Sequence, residues 1–362
     1  MAEHNLLNNH IEMALLDTIS DLIRVVDEDN QVVYYNHAMR LALEDQMYHV
    51  YDSDDYGFFD FKMTARCLAS GETIQRETYV GDVYYSVKTN PIRSAEGRIV
   101  GAVEVYRDKG VEKRLQLELV EKNRSFTEEQ VSASAIQRSL LPPKGFMRAL
   151  CMDYYFRPAE LLSGDFFDVM QIDDDHVVFY IADAVGHGFS SSMTTVFISQ
   201  TMRNMAPELL VDPTVAMLEL VHRFKELNLP DTMYFTMFLG VYSLKKRKLT
   251  YVNAGHDCPP LIKREGNVRL LLNAGFPVTP LVEASFYECR SEYIQRGDEI
   301  LLYTDGMTEC RSRNGEQFGV EGLRKSFGEA GDHPLSEIID RLREFVQSEI
   351  VDDMTCLYLK ML

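Results

Sequence analysis

Positive charge, paired cysteines and long apolar runs are all scarce in this sequence. It carries 37 basic against 56 acidic residues, a formal net charge of −19, which disfavours binding to nucleic acid and to anionic membranes. Its six cysteines form no CxxC pair and no metal-finger spacing, and the start Met1-Ala2-Glu3-His4 opens no cationic signal sequence. No apolar run approaches the roughly 20 residues that cross a bilayer. We therefore expect a reduced, cytoplasmic protein that binds neither nucleic acid nor membrane.

What the sequence does contain is enough apolar material for packed cores. Hydrophobic residues make up 46% of the 362 positions and charged residues 26%, a balance typical of globular proteins. The length exceeds that of an average single domain, so we expect two domains.

The first segment, residues 12–107, alternates short apolar runs with turns. A hairpin is predicted over residues 22–35, and an antiparallel meander over residues 74–106. The order of elements and the stretch "LLDTISDLIRVVDEDNQVVYYNHAMR" resemble a PAS sensor domain. The resemblance implies an antiparallel sheet with helices and a sensory role, but the sequence does not identify the ligand.

The second segment, residues 108–141, is predicted to be one long helix that ends before Pro142-Pro143. Apolar side chains recur on it at alternating spacings of three and four, which is typical of a parallel dimeric coiled coil. The residues of this seam are Leu115, Leu119, Phe126, Ala133, Ile136 and Leu140. Two further seam positions, Lys122 and Glu129, are charged and would keep the pairing weak. A homodimer through this helix is one interpretation, and a solvated spacer helix is the other.

The third segment, residues 145–362, mixes buried strands with amphipathic helices. Strands are predicted at 177–181, 235–242, 249–252, 300–303 and 355–359. Between the first two strands, apolar residues from Phe189 through Met193 to Met205 recur at helical spacing, which predicts a helix that is largely buried. The overall fold class is therefore α+β.

Acidic residues stand at the ends of these strands, each beside a glycine or a second acid. They are Asp165 and Asp168 in "SGDFFD", Asp183 in "DAVGHG", Asp305 before Gly306, and the pair Asp352 and Asp353. Carboxylates that converge repel each other unless cations lie among them, so this pattern predicts bound metal. An ordinary turn would explain any one of these acids alone, but not four groups in one domain.

Oxygen ligands without a histidine and cysteine set favour Mg²⁺ or Mn²⁺ over zinc. Two such ions would lower the pKa of a water molecule and offset the charge of a phosphoryl group, so that no side-chain nucleophile is needed. The sequence therefore predicts phosphoester hydrolysis by an activated water.

Six motifs, in this order, are similar to the metal-dependent PPM protein phosphatases in their bacterial SpoIIE-like branch, which includes RsbU-like stress-response enzymes. They are "AIQRSLLPP", "SGDFFD", "IADAVGHG", "YVNAGHDCPPLI", "LLYTDGMTE" and "DDMT". The resemblance covers residues 135–362 and implies an α-β-β-α sandwich with the metal cleft at one edge. It implies that Asp183 is shared by two ions, that the Ala184 carbonyl completes one of them, and that Asp305 and Asp352 bind the other. Asp165 would contribute directly or through water.

Several neighbouring residues are expected to support that cleft. Asp168, Asp353 and His187 would hold the metal ligands in place. Asn253 and His256 in "NAGH" would assist a water or the leaving group, or would only hold a tight turn together by hydrogen bonds. The resemblance leaves this choice open.

The function expected from these features is a signal-regulated protein serine/threonine phosphatase. Its substrate would be a phosphoserine or phosphothreonine regulatory protein, such as an anti-sigma-factor antagonist. One alternative is a PAS-coupled nucleotide cyclase, because "SGDFFD" loosely resembles the GG(D/E)EF signature. Another is an inactive module that only docks partners. The cyclase interpretation leaves the other acidic motifs unexplained. The presence of Asp183, Asp305 and Asp352 argues against a domain that has lost its metal site.

Overall fold

The computed structural model describes residues 14–47, 61–80, 82–186, 188–281, 287–346 and 352–362. The chain divides into two compact units, Met1–Ser125 and Phe126–Leu362. Within the described residues, none of the helices combines the length and the apolar character that a membrane span requires.

The N-terminal unit is built on one antiparallel sheet of five strands, in the order β2-β1-β5-β4-β3. The strands are β1 (Leu22–Asp27), β2 (Val32–Tyr35), β3 (Ile74–Val80), β4 (Val83–Arg93) and β5 (Ile99–Asp108). Two helices, α1 (His37–Met47) and α2 (Phe61–Ser70), lie between the hairpin and the meander in sequence. This is the antiparallel sheet with helices that the sequence predicts.

A buried ion pair lies at the centre of this unit. Arg24 on β1 and Glu104 on β5 face each other across the sheet, and both side chains are almost fully buried. The Arg24 Nε donates to Glu104 Oε2 at 2.8 Å, and Thr64 on α2 donates to Glu104 Oε1 at 2.8 Å. Because buried charges are tolerated only when they are paired and hydrogen-bonded, this network fixes α2 against the sheet.

One long helix, α3 (Gly110–Ser139), follows the sheet and contains the boundary between the two units. Its apolar residues Leu115, Leu119, Phe126 and Ile136 are each more than half exposed. The helix ends at Ser139, two residues before the predicted end at residue 141. The N–H groups of Leu140 and Leu141 donate to carbonyls three residues back, and Pro142 has no N–H to continue the pattern.

The C-terminal unit contains two antiparallel sheets. One has five strands in the order β14-β11-β10-β9-β8, and the other six in the order β13-β12-β15-β16-β7-β6. The strands are β6 (Gly145–Met147), β7 (Leu150–Arg157), β8 (Asp165–Gln171), β9 (His176–Ala184), β10 (Phe235–Ser243), β11 (Lys248–Ala254), β12 (Leu261–Arg264), β13 (Asn267–Leu270), β14 (Cys289–Tyr293), β15 (Glu299–Tyr303) and β16 (Met354–Met361).

Helices cover the outer faces of both sheets. On the β8-side sheet these are α4 (Phe189–Arg203), α5 (Pro207–Leu210) and α6 (Pro213–Glu226), and on the other α7 (Gly319–Glu329) and α8 (Pro334–Phe345). Alternation along β9 shows the layering: Val178 and Tyr180 pack towards α4 and α6, whereas Phe179 packs towards the opposite sheet. The unit is an α-β-β-α sandwich, so the predicted α+β fold class is confirmed.

One expectation about α4 is wrong in part. Ile198 and Met202 are buried as predicted, but Phe189 and Met193 at the start of the helix are 53% and 41% exposed. The inward face of this first part carries small hydroxyl side chains instead, among them Ser191 and Thr195. The helix comes close to the start of β8 there: a Cβ on Gly164 would lie 3.2 Å from that of Ser191.

We predict that Glu104→Ala destabilises the N-terminal sheet by about 3–5 kcal/mol, because it leaves the Arg24 charge buried without its carboxylate. Native-state hydrogen exchange of peptides from β1 and β5 measures the change. Glu96→Ala, in an exposed turn of the same unit, is the control and should change protection little. Equal protection in the two variants would contradict the prediction.

Candidate metal centre

Two of the predicted acids face each other on neighbouring strands of the first sheet. Asp165 begins β8 and Asp183 is the next-to-last residue of β9, and the register pairs them directly. Side chains opposite each other on antiparallel strands lie about 4.5–5.5 Å apart at Cβ, and like charges in such pairs repel. The fold therefore creates an unfavourable contact that needs compensation.

The remaining predicted acids come from the second sheet. Asp305 opens a short 3₁₀ turn that directly follows β15, and Asp352 and Asp353 immediately precede β16. The last residue of β15, Tyr303, pairs with Cys356 near the start of β16. The end of one strand and the start of the next thus bring these acids to one edge of the sheet.

Hydrogen bonds join the two sheets at this edge. Thr304, next to Asp305, donates its hydroxyl to Asp165 Oδ2 at 2.7 Å. The Asp353 carboxylate accepts the backbone N–H groups of Ala159 at 2.7 Å and Gly164 at 2.6 Å. These bonds hold the segment that carries Asp165 against the segments that carry Asp305 and Asp352.

Two glycines are needed because backbones approach closely here. A Cβ on Gly306 would lie 2.0 Å from the Asp353 carbonyl oxygen, and one on Gly164 would lie 2.9 Å from that of Gly186 and 3.0 Å from that of Ala184. A side chain at either position would force the acidic segments apart.

The pKa values of the cleft carboxyl groups are raised by burial and by the charges of neighbouring acids. Burial, and after it the charges of Asp305 and Asp352, raise the pKa of Asp183 to about 8. Burial and then Asp352 raise the pKa of Asp305 to about 6. Burial and the charge of Asp183 raise the pKa of Asp165 well above its usual range. Repulsion of this kind is what a bound cation relieves.

Within the described part of the chain, no three histidine, cysteine or acidic side chains close around a single point as a ready-made metal site would. The cleft provides carboxylates and carbonyls from four segments, an all-oxygen set that fits Mg²⁺ or Mn²⁺ chemically. Such ions retain several water ligands, so a complete protein cage is not required.

The predicted supporting residues have different surroundings. Asp353 joins the cleft through the two backbone N–H groups it binds. Asp168 does not: it is buried on the opposite face of β8, and Arg203 Nε donates to it at 2.6 Å. Its ion pair instead fixes β8 to the end of α4. His187 lies outside the described residues.

Asn253 and His256 form a dense hydrogen-bond network at the end of β11. The Asn253 side chain accepts from His256 N–H at 2.7 Å and donates to the His256 carbonyl at 2.9 Å. The His256 Nε2 lies 3.0 Å from the Tyr303 carbonyl oxygen and Nδ1 lies 3.3 Å from the Thr236 hydroxyl. Burial lowers the pKa of His256, which favours the neutral ring. In this arrangement the two residues connect the turn to β15.

Sequence reasoning gave no role to Thr304 or Asp257. Thr304 binds Asp165, and the charge of Asp257 raises the pKa of both Asp183 and Asp305. Asp257 stands next to His256 in the "NAGH" motif region, so the sequence could have indicated its role. The contact between Thr304 and Asp165 could not be predicted from sequence, because the two residues are 139 positions apart.

Comparison with known proteins agrees with both parts of the fold. The family model described as "PAS fold" matches residues 16–114. The solved SiaA-PP2C domain of Pseudomonas aeruginosa is 19% identical with a TM-score of 0.57, covering 66% of this chain and 98% of that domain. The PP2C phosphatase domain of SpoIIE from Bacillus subtilis, with a fragment of its regulatory domain, is 13% identical with a TM-score of 0.51, covering 89% of this chain and 88% of that one. At these identities the likeness shows a shared fold.

Sequence comparison extends the match. Phosphoserine phosphatase RsbU of Bacillus subtilis is 28% identical over 232 residues, which are 63% of this chain and 68% of RsbU. The family model described as "Stage II sporulation protein E (SpoIIE)" matches residues 173–362, more than half of the chain. The chain belongs to the SpoIIE family.

Proposed function

We propose that this protein is a metal-dependent protein serine/threonine phosphatase. The observation that carries the proposal is the convergence of Asp165, Asp183, Asp305 and Asp352 from two sheets at one edge. Membership of the SpoIIE family and the similarity to RsbU, which is named a phosphoserine phosphatase, support it.

Two Mn²⁺ or Mg²⁺ ions would be held by residues of this edge. Asp183 would be shared between them, the Ala184 carbonyl would complete one, and Asp305 and Asp352 would bind the other. Asp165 would contribute directly or through water. When bound, such ions lower the pKa of water and offset the negative charge of a phosphoryl group.

Side chains near the cleft are poor nucleophiles in their own right. Burial raises the pKa of the Cys258 thiol, and the charges of Asp257 and Asp305 raise it further, so the reactive thiolate is disfavoured. The Ser163 hydroxyl oxygen accepts a hydrogen bond from the Asp165 N–H at 3.0 Å, so it is engaged with the backbone. These surroundings support attack by water.

The substrate we propose is a phosphoserine or phosphothreonine regulatory protein, such as an anti-sigma-factor antagonist. Residues 12–107 would sense a signal, residues 108–141 would transmit it, and residues 145–362 would catalyse. The exposed apolar residues of α3 support pairing of two chains along the seam defined above.

We predict that Asp183→Asn and Asp305→Asn each lower hydrolysis of p-nitrophenyl phosphate by more than about 100-fold. Loss of a residue that only supports a metal ligand costs roughly 10- to 100-fold, and loss of the ligand itself costs more. Assays with Mn²⁺, Mg²⁺ or EDTA measure this, and circular dichroism confirms folding. Asp332→Asn, an exposed acid outside the cleft, is the control. Near-normal turnover in either cleft variant would refute the ligand assignment, and consumption of nucleotide triphosphate would favour the cyclase.

We also predict a pH signature in EDTA. Burial, and after it the charges of Asp305 and Asp352, raise the pKa of the Asp183 carboxyl from its usual 3.8 to about 8, so between these pH values the folded state holds a proton that the unfolded state has lost. The contribution of this group to stability therefore falls as pH rises from about 4 to about 8, by about 1.4 kcal/mol for each unit of pKa difference.

The stability of Asp183→Asn relative to the native chain should accordingly increase over that pH window, and thermal melting followed by circular dichroism measures it. Saturating Mn²⁺ should stabilise the native chain and the Asp332→Asn control more than Asp183→Asn. A difference between native chain and Asp183→Asn that stays constant from pH 4 to pH 8 would contradict the prediction.

A further prediction concerns the coupling through α3. Inserting four residues after Glu121 rotates the following part of the helix by roughly 40° relative to the seam, whereas seven residues nearly preserve it. We expect the shorter insertion to uncouple regulation from catalysis and the longer one to retain much of it. Equal regulation in both variants, or a strictly monomeric chain by light scattering in every signalling state, would show that the helix is only a spacer.

A further inference from the structure

Helix α3 contains one buried residue, and that residue is polar. Of its 30 residues, all of which the structure describes, only Gln137 is buried, with 1% of its surface exposed. Glutamine is rarely buried completely, because its amide must exchange hydrogen bonds with water for equally good ones inside the protein. A polar anchor on an otherwise solvated helix therefore requires a specific partner.

That partner is the backbone of Ser163. Gln137 Oε1 accepts the Ser163 N–H at 3.1 Å, and Gln137 Nε2 donates to the Ser163 carbonyl oxygen at 2.7 Å. The second proton on Nε2 is donated to the Thr195 hydroxyl oxygen at 3.0 Å. The amide thus uses both of its donors and its acceptor, and a reversed amide would place two oxygens against each other.

Ser163 lies two residues before Asp165, so fixing the Ser163 backbone also restricts the position of Asp165. Its hydroxyl accepts the Asp165 N–H at 3.0 Å, and the intervening Gly164 accepts the Ala184 N–H at 2.9 Å. Because Gly164 already lies against the Ala184 and Gly186 carbonyls, the segment 163–165 has little room to shift.

Thr195 connects Gln137 to the second acid-bearing segment. It lies on α4, which begins at Phe189, shortly after Asp183 on β9. The Thr195 hydroxyl also donates to the Ser192 carbonyl at 2.7 Å, so its position follows that of the first turns of α4. One glutamine therefore contacts both the segment that leads to Asp165 and the helix that follows Asp183.

We propose that Gln137 is a positioning residue of the acidic cleft, which holds the Ser163–Gly164–Asp165 backbone at the distance from α4 that metal binding needs. The inference rests on the proposed metal-dependent function. Gln137 touches neither metal nor substrate, and it acts through Ser163 and Thr195.

The test uses the full chain with Gln137→Met, which keeps the length of the side chain and removes its hydrogen bonds. The Mn²⁺ concentration for half-maximal hydrolysis of p-nitrophenyl phosphate should rise about 10- to 100-fold, as is typical when a partner of a metal ligand is lost. Excess Mn²⁺ should restore most of kcat, and KM for the substrate should change little. Calorimetric titration with Mn²⁺ should show the same weakening without turnover.

Gln116→Met, at an exposed position of the same helix, is the matched control and should leave Mn²⁺ binding unchanged. Thr195→Val keeps the shape of its side chain and removes one partner of Gln137, so it should weaken Mn²⁺ binding about 2- to 10-fold. In the double variant the effect should be close to that of Gln137→Met alone, because both changes remove the same contact.

A folded Gln137→Met protein with native Mn²⁺ affinity would overturn the inference. If Gln137→Met does not fold, Thr195→Val is the test, and native Mn²⁺ affinity in Thr195→Val would likewise overturn the inference. If the native chain binds Mn²⁺ by calorimetry but hydrolyses nothing, the proposed function fails while the calorimetric comparison still tests Gln137. If the native chain binds neither Mn²⁺ nor Mg²⁺, both proposals are wrong.

Discussion

Repulsion among carboxylates at the edge where the two sheets meet is the constraint on which the rest of the catalytic unit depends. The strand register places Asp165 and Asp183 opposite each other. Asp305 adds a third acid, whose charge, after burial, raises the pKa of Asp183. The fold holds them there with hydrogen bonds that run between the sheets, from Thr304 to Asp165 and from Gly164 to Asp353. Charge-assisted bonds of this kind are stronger than neutral ones, which offsets part of the repulsion and keeps the cleft in place.

The two units handle buried charge in opposite ways. In the N-terminal unit, Arg24 neutralises Glu104 inside the core, and the result is a closed structural network. In the C-terminal cleft, burial and neighbouring acids raise the pKa values of Asp183 and Asp305. Clusters of carboxylates with raised pKa values are typical of functional sites, whereas a purely structural role favours neutralisation within the chain.

Much of this was predictable because the signals are local in sequence. The apolar run before Asp183 predicts β9, and Pro142-Pro143 predicts the end of α3 to within a few residues. The acids at strand ends predict a shared cleft, and its metal binding stays a prediction. Contacts that depend on how distant segments meet could not be predicted from the sequence. Asp168 follows Asp165 by three residues, yet the pleat sends it to Arg203 on the other face of β8. The small buried hydroxyls of α4 were likewise missed, because apolar spacing alone does not report how closely a helix approaches a sheet.

The exposed seam of α3 and its buried glutamine lie on nearly the same side of the helix. At about 100° per residue, Gln137 is only about 40° from Ala133, the seam residue one turn before it. Leu115 and Phe126, earlier on this seam, are exposed, whereas Ala133 and Gln137 turn towards the body of the C-terminal unit. One side of α3 thus carries exposed apolar residues along its first part and a hydrogen-bonding anchor near its end. In the proposed dimer, a rotation of α3 that changed the pairing would also turn Gln137 relative to Ser163 and would so act on the segment that carries Asp165.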